Sequence, residues 1–257
     1  MKRGLSVLVV FYLFCPGLFG QNSYSVNNVH SHNDYEQDLP FFEAYARGFG
    51  SIEADLWRID DELYVAHDKS EIEENRTFQY LYLDPLIRQI RFNDGKAYPD
   101  GKNLQLLIDL KSPYHEVLPV LLHQLKPYRH YFDTSKNPDA IRLVISGHMP
   151  PPDSLHTYDP IFTFDGRMGI EYPEKDWERI VLVSENVQKI VSWRYDENLS
   201  KEKKEKLREV IQEIQGKNRL IRFWAVPDKE SSYEILMELG VDYIGTDDPA
   251  KIECLLR

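Results

Sequence analysis

The sequence predicts an α/β protein whose strands close into a (β/α)8 TIM barrel. Three observations lead to this prediction: a length of 257 residues, a hydrophobic content of 42%, and a regular alternation of strand patterns with helical patterns. One (β/α)8 barrel takes about 250 residues. Regular alternation favours a parallel sheet, and eight repeats in this length favour a closed barrel over an open sheet.

Eight segments have the apolar pattern of barrel strands. They are residues 26–30, 51–57, 104–110, 141–146, 161–164, 180–184, 220–226 and 242–246. A further segment, 63–66, follows the second strand so closely that it predicts a short hairpin return. The unbroken apolar run at 104–110 is typical of a strand that is buried on both faces.

Helical patterns fill most of the intervals between these strands. The predicted helices span residues 39–47, 81–91, 114–125, 201–215 and 230–239. The charged segment 201–215 carries apolar residues at helical spacing, so we interpret it as a helix with one solvated face. The first strand is followed by neither a glycine-rich dinucleotide loop nor a P-loop. Because no proline- or glycine-rich linker divides the chain, we predict one domain over residues 21–257.

The first twenty residues have the pattern of a secretory signal peptide. Lys2 and Arg3 precede a short apolar run, and Gly20 precedes a polar segment. The run is too short for a membrane-spanning helix, which needs about 20 apolar residues. Cys15 would suit lipoprotein processing, although the bulky phenylalanine before it fits that pattern poorly. We therefore expect residues 1–20 to be removed, and an exported mature chain with no transmembrane helix.

Charge and cysteine content narrow the classes of partner. The chain has 31 Lys and Arg against 42 Asp and Glu, a net charge of −11 at pH 7. An acidic chain with no basic cluster argues against nucleic acid as a partner. A phosphate-bearing substrate stays compatible, since a bound metal ion would supply positive charge locally. Two cysteines are too few for a disulfide framework or a cysteine-rich zinc site, and we expect Cys254 to be buried as a small hydrophobe.

Polar side chains that can perform chemistry cluster where the predicted strands end. Active sites of (β/α)8 barrels lie at the carboxyl ends of the strands. The spacing i, i+2 on a strand puts two side chains on one face, here towards the barrel axis. These residues are His30, His32 and Asn33 after the first strand, Glu53 and Asp55 on the second, His67 after the hairpin return, and Asp109 and Lys111 at the end of the third.

The three carboxylates predict a metal site. Taken singly, each of these polar residues has a structural reading as a cap, a sheet edge or a salt bridge. Glu53, Asp55 and Asp109 would nevertheless repel one another strongly inside a barrel without a cation between them. With no cysteine ligands, they suit a hard divalent ion, Mg²⁺ or Ca²⁺. Nearby histidines would be free to act as general acid and base, and Lys111 would hold an anion, which together predicts chemistry on a phosphodiester.

The same residues carry a family resemblance, together with segments 51–56, 63–68 and 240–249. They resemble the glycerophosphodiester phosphodiesterase-like branch of the phospholipase-C-type phosphodiesterase superfamily, whose members are TIM barrels. The run His-Ser-His-Asn-Asp-Tyr at 30–35 is most similar to the altered inheritance of mitochondria protein 6 subgroup. The resemblance covers the chain from about Val29 to Pro249.

The resemblance implies a role for each candidate residue. It implies acid–base catalysis by a first-strand histidine and by His67, and substrate contacts by Lys111, Asn33 and Trp224. It also implies metal ligation by the three carboxylates at positions 53, 55 and 109.

Two histidines compete for the catalytic role after the first strand. The family's usual His-Arg-Gly is replaced here by residues 30–33. A position directly at the strand end favours His30, whereas an interval of 21 residues to Glu53, as in sphingomyelinase D-like members, favours His32, which we take first. The third ligand is Asp109 where the family has Glu, and the family's Pro-Glu-Asn-Thr segment is missing. These departures weaken the case for a glycerol-type leaving group.

The sequence favours an exported, metal-dependent phosphodiester hydrolase acting on a small-molecule or lipid-derived substrate. One alternative is a lyase-type phospholipase D, in which a hydroxyl of the substrate attacks and a cyclic phosphate forms. An exposed apolar patch near the barrel mouth would favour that alternative. Another is a non-enzymatic barrel that binds a phosphorylated ligand, for which we would expect a missing histidine or carboxylate. The substrate, the metal and the oligomeric state are left open.

Overall fold

A closed parallel barrel is the framework of the protein. The computed structural model describes residues 24–195 and 197–256, and in that part of the chain nine strands form one sheet. The strands are β1 (Val29–Ser31), β2 (Ser51–Ile59), β3 (Glu62–Val65), β4 (Gln105–Leu110), β5 (Arg142–Gly147), β6 (Phe162–Gly166), β7 (Ile180–Asn186), β8 (Leu220–Trp224) and β9 (Tyr243–Thr246). All except β3 pair in parallel around a ring that β1 closes between β9 and β2. The prediction of a TIM barrel is confirmed.

The prediction of a hairpin return is confirmed, whereas the signal peptide stays a prediction. β3 pairs antiparallel with β2 and stays outside the ring, as expected for a return strand. The predicted signal peptide, residues 1–20, lies outside the described residues.

Helices connect most of the barrel strands. They are α1 (Phe42–Arg47), α2 (Asp84–Phe92), α3 (Tyr114–Leu125), α4 (Glu174–Trp177), α5 (Val187–Ile190), α6 (Lys201–Gly216), α7 (Glu230–Leu239) and α8 (Pro249–Leu256). α6 begins after Ser200, whose hydroxyl accepts a hydrogen bond from the Lys203 amide and so caps the helix. Among the described helices, none combines the length and apolar character that a membrane crossing requires.

The C-terminal helix α8 was not predicted, and it corrects one expectation. It packs Ile252 against the core, whereas Cys254 lies on its exposed side. The expectation that Cys254 is buried is therefore wrong, because the two positions face opposite sides of the same helix.

Side chains alternate along the barrel strands between two apolar regions. Outward-facing residues join the large core between the barrel and its helices, while Leu107, Val144 and Leu182 form a separate buried cluster. Asp109 and Ser146 follow Leu107 and Val144 at i+2, so they point the same way one layer higher. The interior of the barrel is thus apolar below and polar at the carboxyl ends of the strands.

The start of β1 differs from the prediction and matters for the site. Residues Val26–Asn28 form a 3₁₀ turn, because the Ser25 hydroxyl accepts from the Asn27 amide and the Asn28 side chain accepts from the Ser25 amide. β1 therefore runs from Val29 to Ser31 rather than over 26–30. His30 lies within the strand, and the next histidine lies just beyond its end.

Candidate active site

A cavity of about 340 Å³ lies at the carboxyl ends of the barrel strands. We call it the catalytic cavity. It contains every residue predicted for the site except His30 and Asp55, which are fully buried. Its lining residues are His32, Asn33, Glu53, His67, Asp109, Lys111, Ser146, Gly147, Arg167, Ser184, Arg222 and Trp224.

The three predicted carboxylates form one cluster. β2 places Glu53 and Asp55 on the same face, and the register of β2 with β4 sets Asp55 opposite Asp109. One carboxylate oxygen from each residue lies within 4.8 Å of the others. Asp55 Oδ1 is buried and has no hydrogen-bond partner among the described residues. Because a buried oxygen without a donor is costly, and three carboxylates are hard ligands, this donor set fits a divalent cation.

Two basic side chains, Lys111 and Arg222, partly neutralise this cluster. Lys111 Nζ lies 2.7 Å from Asp109 Oδ2 and 2.9 Å from Asp55 Oδ2, and Arg222 Nη1 lies 3.1 Å from Glu53 Oε2. Burial and the charges of Glu53 and Asp109 raise the pKa of Asp55 to about 6. Burial alone would raise the pKa of Glu53. The hydrogen bond with His30 and the charge of Arg222 outweigh burial and hold that pKa well below the usual range. Of these two carboxylates, Asp55 is therefore the one whose negative charge is less well compensated.

His30 supports Glu53 from behind the cavity wall. Its Nδ1 lies 2.7 Å from Ser51 Oγ, and its Nε2 lies 2.6 Å from Glu53 Oε2 and also contacts Arg222 Nη1. Burial, with the Arg222 charge, lowers the pKa of His30 to about 4. The imidazole is neutral, has both nitrogens occupied, and does not line the cavity.

His32 has the opposite environment. Its imidazole is 39% exposed and lines the catalytic cavity, and its Nδ1 lies 2.6 Å from Asp247 Oδ1. Burial alone would lower the pKa of His32, but the hydrogen bond to Asp247 and the charge of Glu53 outweigh it and raise that pKa. With Nδ1 held by Asp247, Nε2 is the nitrogen available to a ligand.

His67 reaches the same cavity from the segment after β3. Its side chain is half exposed, and its Nδ1 lies 3.4 Å from Asp55 Oδ2 and 3.2 Å from the hydroxyl of Tyr35. Asn33 has a φ of 45°, in the left-handed region, and turns the chain after β1. Its side-chain amide lies within 2.9 Å of the Tyr35 hydroxyl. The two accessible histidines thus border the carboxylate cluster on different sides.

Two arginines of the cavity were missed by the sequence analysis. Arg167 follows β6 and is held by Asp165 Oδ2 at 2.7 Å and by Ser146 Oγ at 2.9 Å. Asp165 and Arg167 have the same i, i+2 spacing as Asp109 and Lys111, which was the available signal. Arg222 interrupts the apolar strand β8 two residues before Trp224, and a charged residue in a buried strand was the signal there.

A second cavity of about 340 Å³ adjoins the first. His32, Arg222 and Trp224 line both cavities, and Val226 and Asp228 line only the second. Because Trp224 lines both cavities, it lies between the two spaces. The residue is 42% exposed and offers an apolar face to a bound molecule.

Comparison with known proteins assigns the family. The sequence profile described as the AIM6-like phosphodiesterase domain matches residues 21–151, just over half of the chain. The chain belongs to this family. The predicted resemblance is confirmed, and this AIM6-like domain is a phosphodiesterase domain on a TIM barrel.

Individual relatives agree with this assignment. The altered inheritance of mitochondria protein 6 homolog of Arthroderma benhamiae is 26% identical over 259 aligned positions, which cover 86% of this chain and 81% of that protein. Altered inheritance of mitochondria protein 6 of Eremothecium gossypii is 26% identical and covers 87% and 68%. The structure of an Oleispira antarctica phosphodiesterase in complex with the product sn-glycerol-3-phosphate has a TM-score of 0.50 at 12% identity, covering 89% of this chain and 94% of that one. That likeness shows a shared fold.

Proposed function

We propose that this AIM6-like domain is a metal-dependent phosphodiester hydrolase. His32 and His67 serve as general acid and general base, and the carboxylate cluster holds Mg²⁺ or Ca²⁺. One observation carries the proposal: two accessible histidines border one cavity, beside three clustered carboxylates of which Asp55 keeps an unpaired buried oxygen.

The charges around the catalytic cavity support a divalent ion and a monoanionic substrate. When bound, the ion supplies positive charge that offsets the phosphate and the charge that develops on it. Four carboxylates and three basic side chains leave one net negative charge, which a divalent ion converts to one net positive charge. The groups counted are Glu53, Asp55, Asp109, Asp165, Lys111, Arg167 and Arg222.

The histidines divide the proton transfers between them. His67 takes a proton from a water molecule as the water oxygen attacks phosphorus. The ester bond to the leaving oxygen breaks, and that oxygen takes a proton from Nε2 of His32, so the products are a phosphomonoester and an alcohol. The raised pKa of His32 supports the acid role, because it favours the protonated imidazole that an acid requires. Lys111 and Arg167 would bind the non-bridging oxygens.

The two cavities match the two arms of a diester. His32 and Trp224 line both spaces, so a phosphate next to His32 would direct one ester arm into each. Trp224 and Val226 favour an arm with apolar surface. This supports a small-molecule or lipid-derived phosphodiester as the substrate.

The first test is hydrolysis of bis-(p-nitrophenyl) phosphate with Mg²⁺, with Ca²⁺ and with chelator. We expect release of p-nitrophenolate that requires the metal and that falls at least about 100-fold in Asp55→Asn, because an amide is a weaker ligand than a carboxylate. Asp61→Asn, at a fully exposed site in the β2–β3 hairpin, is the matched control and should keep the activity. Equal release with metal and with chelator would contradict the proposal.

A second candidate is the lyase-type reaction on lipid headgroups. The observation that favours it is the exposure of four large apolar side chains at or after the carboxyl ends of barrel strands, namely Leu39, Ile170, Tyr195 and Trp224. Here a hydroxyl of the substrate replaces water as the nucleophile. Reaction of lysophospholipids in H₂¹⁸O, followed by ³¹P NMR, separates the two routes. Hydrolysis gives an ¹⁸O-labelled monoester, whereas the lyase gives an unlabelled cyclic phosphate.

We also propose that the chain is exported, which rests on the sequence pattern of residues 1–20 alone. N-terminal sequencing of the protein recovered from an expressing cell's envelope and medium is the test. A mature terminus at Gln21 is expected, and a retained Met1 on intracellular protein would contradict export.

A further inference from the structure

Tyr35 lies beneath the catalytic cavity, and its hydroxyl is surrounded by polar groups. The side chain is 3% exposed and follows Asn33 in the turn after β1. Its hydroxyl oxygen lies 2.7 Å from Asp55 Oδ2, 2.9 Å from Asn33 Oδ1 and 3.2 Å from His67 Nδ1. It therefore touches a carboxylate of the cluster and the candidate base at once.

One hydroxyl proton cannot serve three acceptors, so the contacts determine where the protons are. The carboxylate of Asp55 is charged and gives the shortest contact, so it takes the proton of Tyr35. Nδ1 of His67 then faces two oxygens that accept, the Tyr35 hydroxyl at 3.2 Å and Asp55 Oδ2 at 3.4 Å, and this arrangement favours a proton on Nδ1. The Asn33 amide completes the arrangement when its nitrogen faces the hydroxyl, since the two ends of an amide are assigned from the hydrogen bonds around it.

We propose that Tyr35 is a positioning residue that holds His67 as the Nδ1–H tautomer and presents its Nε2 lone pair to the catalytic cavity. This inference deepens the proposed function and rests on it. A neutral imidazole in water prefers its proton on Nε2, and His67 is half exposed. Without the Tyr35 hydroxyl, Nδ1 would keep only the longer 3.4 Å contact to Asp55 Oδ2. The ring would then return to its preferred tautomer, in which the nitrogen facing the cavity carries a proton and cannot act as a base.

The same hydroxyl also orients Asp55. Tyr35 and Lys111 both donate to Oδ2 of that carboxylate, and Oδ1 is left without a partner among the described residues. The two donors therefore decide which oxygen is free for a cation. A tyrosine that orders both the candidate ligand and the candidate base resembles the outer-shell partners that tune metal sites.

The tautomer is measured directly by long-range ¹H–¹⁵N NMR on protein with ¹⁵N-labelled histidine, at a pH where the ring is neutral. The His67 signals are assigned by their loss in His67→Ala. We expect Nδ1–H in the wild type and Nε2–H in Tyr35→Phe. Tyr98→Phe is the matched control, because Tyr98 is also buried and its hydroxyl donates to a carbonyl outside the site. That hydrogen bond, to the Phe49 carbonyl, is 2.6 Å long. Its His67 spectrum should equal that of the wild type.

Kinetics supply the second readout. Tyr35→Phe should lower kcat by about 10–100-fold and leave KM within about twofold, while Tyr98→Phe keeps kcat. An Nε2–H tautomer in the wild type would overturn the inference, and so would an unchanged tautomer in Tyr35→Phe. The spectra need no turnover, so they decide the role of Tyr35 even if the wild type releases no product. That last result would instead count against the proposed hydrolase.

Discussion

His30 and His32 show how a difference of two chain positions changes the chemistry open to a side chain. β1 ends at Ser31, and the His32 amide donates to the Thr246 carbonyl at 3.0 Å as the chain leaves the sheet. His30 therefore points into the barrel, while His32 lies at the mouth beside Asp247. The sequence left both open because the strand could not be placed to within one residue. Side-chain hydrogen bonds in the turn before β1 decide that placement.

Substitution of the two histidines should separate catalysis from stability. His32→Ala should lower turnover by about 10²–10⁴-fold with little change in stability, because its imidazole is partly exposed. His30→Ala removes a buried partner of Glu53 and Ser51, and should cost about 1–3 kcal/mol. The measurements are kcat on the diester and the urea midpoint. Normal turnover in His32→Ala, with wild-type stability in His30→Ala, would show that the assignment is reversed.

At the scale of elements, Gly147 at the end of β5 leaves the space that the Asp109 carboxylate of the neighbouring strand β4 occupies. Gly147 ends β5 with a φ of +73°, and a Cβ added there would overlap Asp109 Oδ1 and the backbone of Leu110. Gly147→Ala should therefore displace Asp109 and lower both stability and metal-dependent turnover. Gly169→Ala is a matched control, because it has a φ of +74° with open space around it. Both variants pay the left-handed backbone cost of roughly 1–2 kcal/mol, and an equal loss of turnover in the two would contradict the prediction.

The turn between β1 and α1 should make stability depend on pH. Asp34 is buried, and its oxygens accept from the Ser31 hydroxyl, the Phe41 amide and the Tyr82 hydroxyl. Burial raises the pKa of Asp34 and outweighs these hydrogen bonds, which lower it. The resulting pKa is about 6, above the unfolded value of about 3.9. The folded state thus keeps a proton that the unfolded state loses. This contribution is complete below pH 4 and is lost as pH rises through 6, by roughly 2–3 kcal/mol.

Asp34→Asn isolates that contribution, since the amide keeps the shape and cannot ionise. Its oxygen can accept from the Phe41 amide, which matters because Phe41 has a φ of 66°. Urea midpoints of the two proteins between pH 4 and 7 are the measurement. The wild type should lose stability relative to Asp34→Asn across pH 4–6, and parallel curves would assign the pH dependence to other groups.

At the scale of the whole molecule, the parts that follow from local patterns were predictable, and those that depend on closure of the barrel were not. The alternation of periodicities gave eight strands, and i, i+2 spacing on parallel neighbours brought Glu53, Asp55 and Asp109 together. Arg222 reaches Glu53 across 169 positions of sequence. That contact exists because β9 and β1 close the ring between β8 and β2, and no local pattern encodes it.

Pairing of the folded strands also predicts how the molecule responds to metal. The candidate ligands come from two neighbouring strands, β2 and β4, so a bound ion would link segments that are far apart in sequence and would stabilise only the folded chain. At a metal concentration of 100 Kd, binding to the native state adds about 2.7 kcal/mol, and for a chain of this size the melting temperature should rise by roughly 5–10 °C.

Differential scanning calorimetry with Mg²⁺, with Ca²⁺ and with chelator is the measurement, and it needs no substrate. Asp55→Asn should melt at a temperature that metal hardly changes, because the negative charge is lost and, with Tyr35 and Lys111 donating to the remaining oxygen, the amide nitrogen takes the place of the unpaired Oδ1. Asp61→Asn should respond as the wild type does. A shift of equal size in Asp55→Asn would place the bound ion elsewhere on this acidic surface, whereas no shift in any of the proteins would mean that Lys111 and Arg222 already satisfy the cluster.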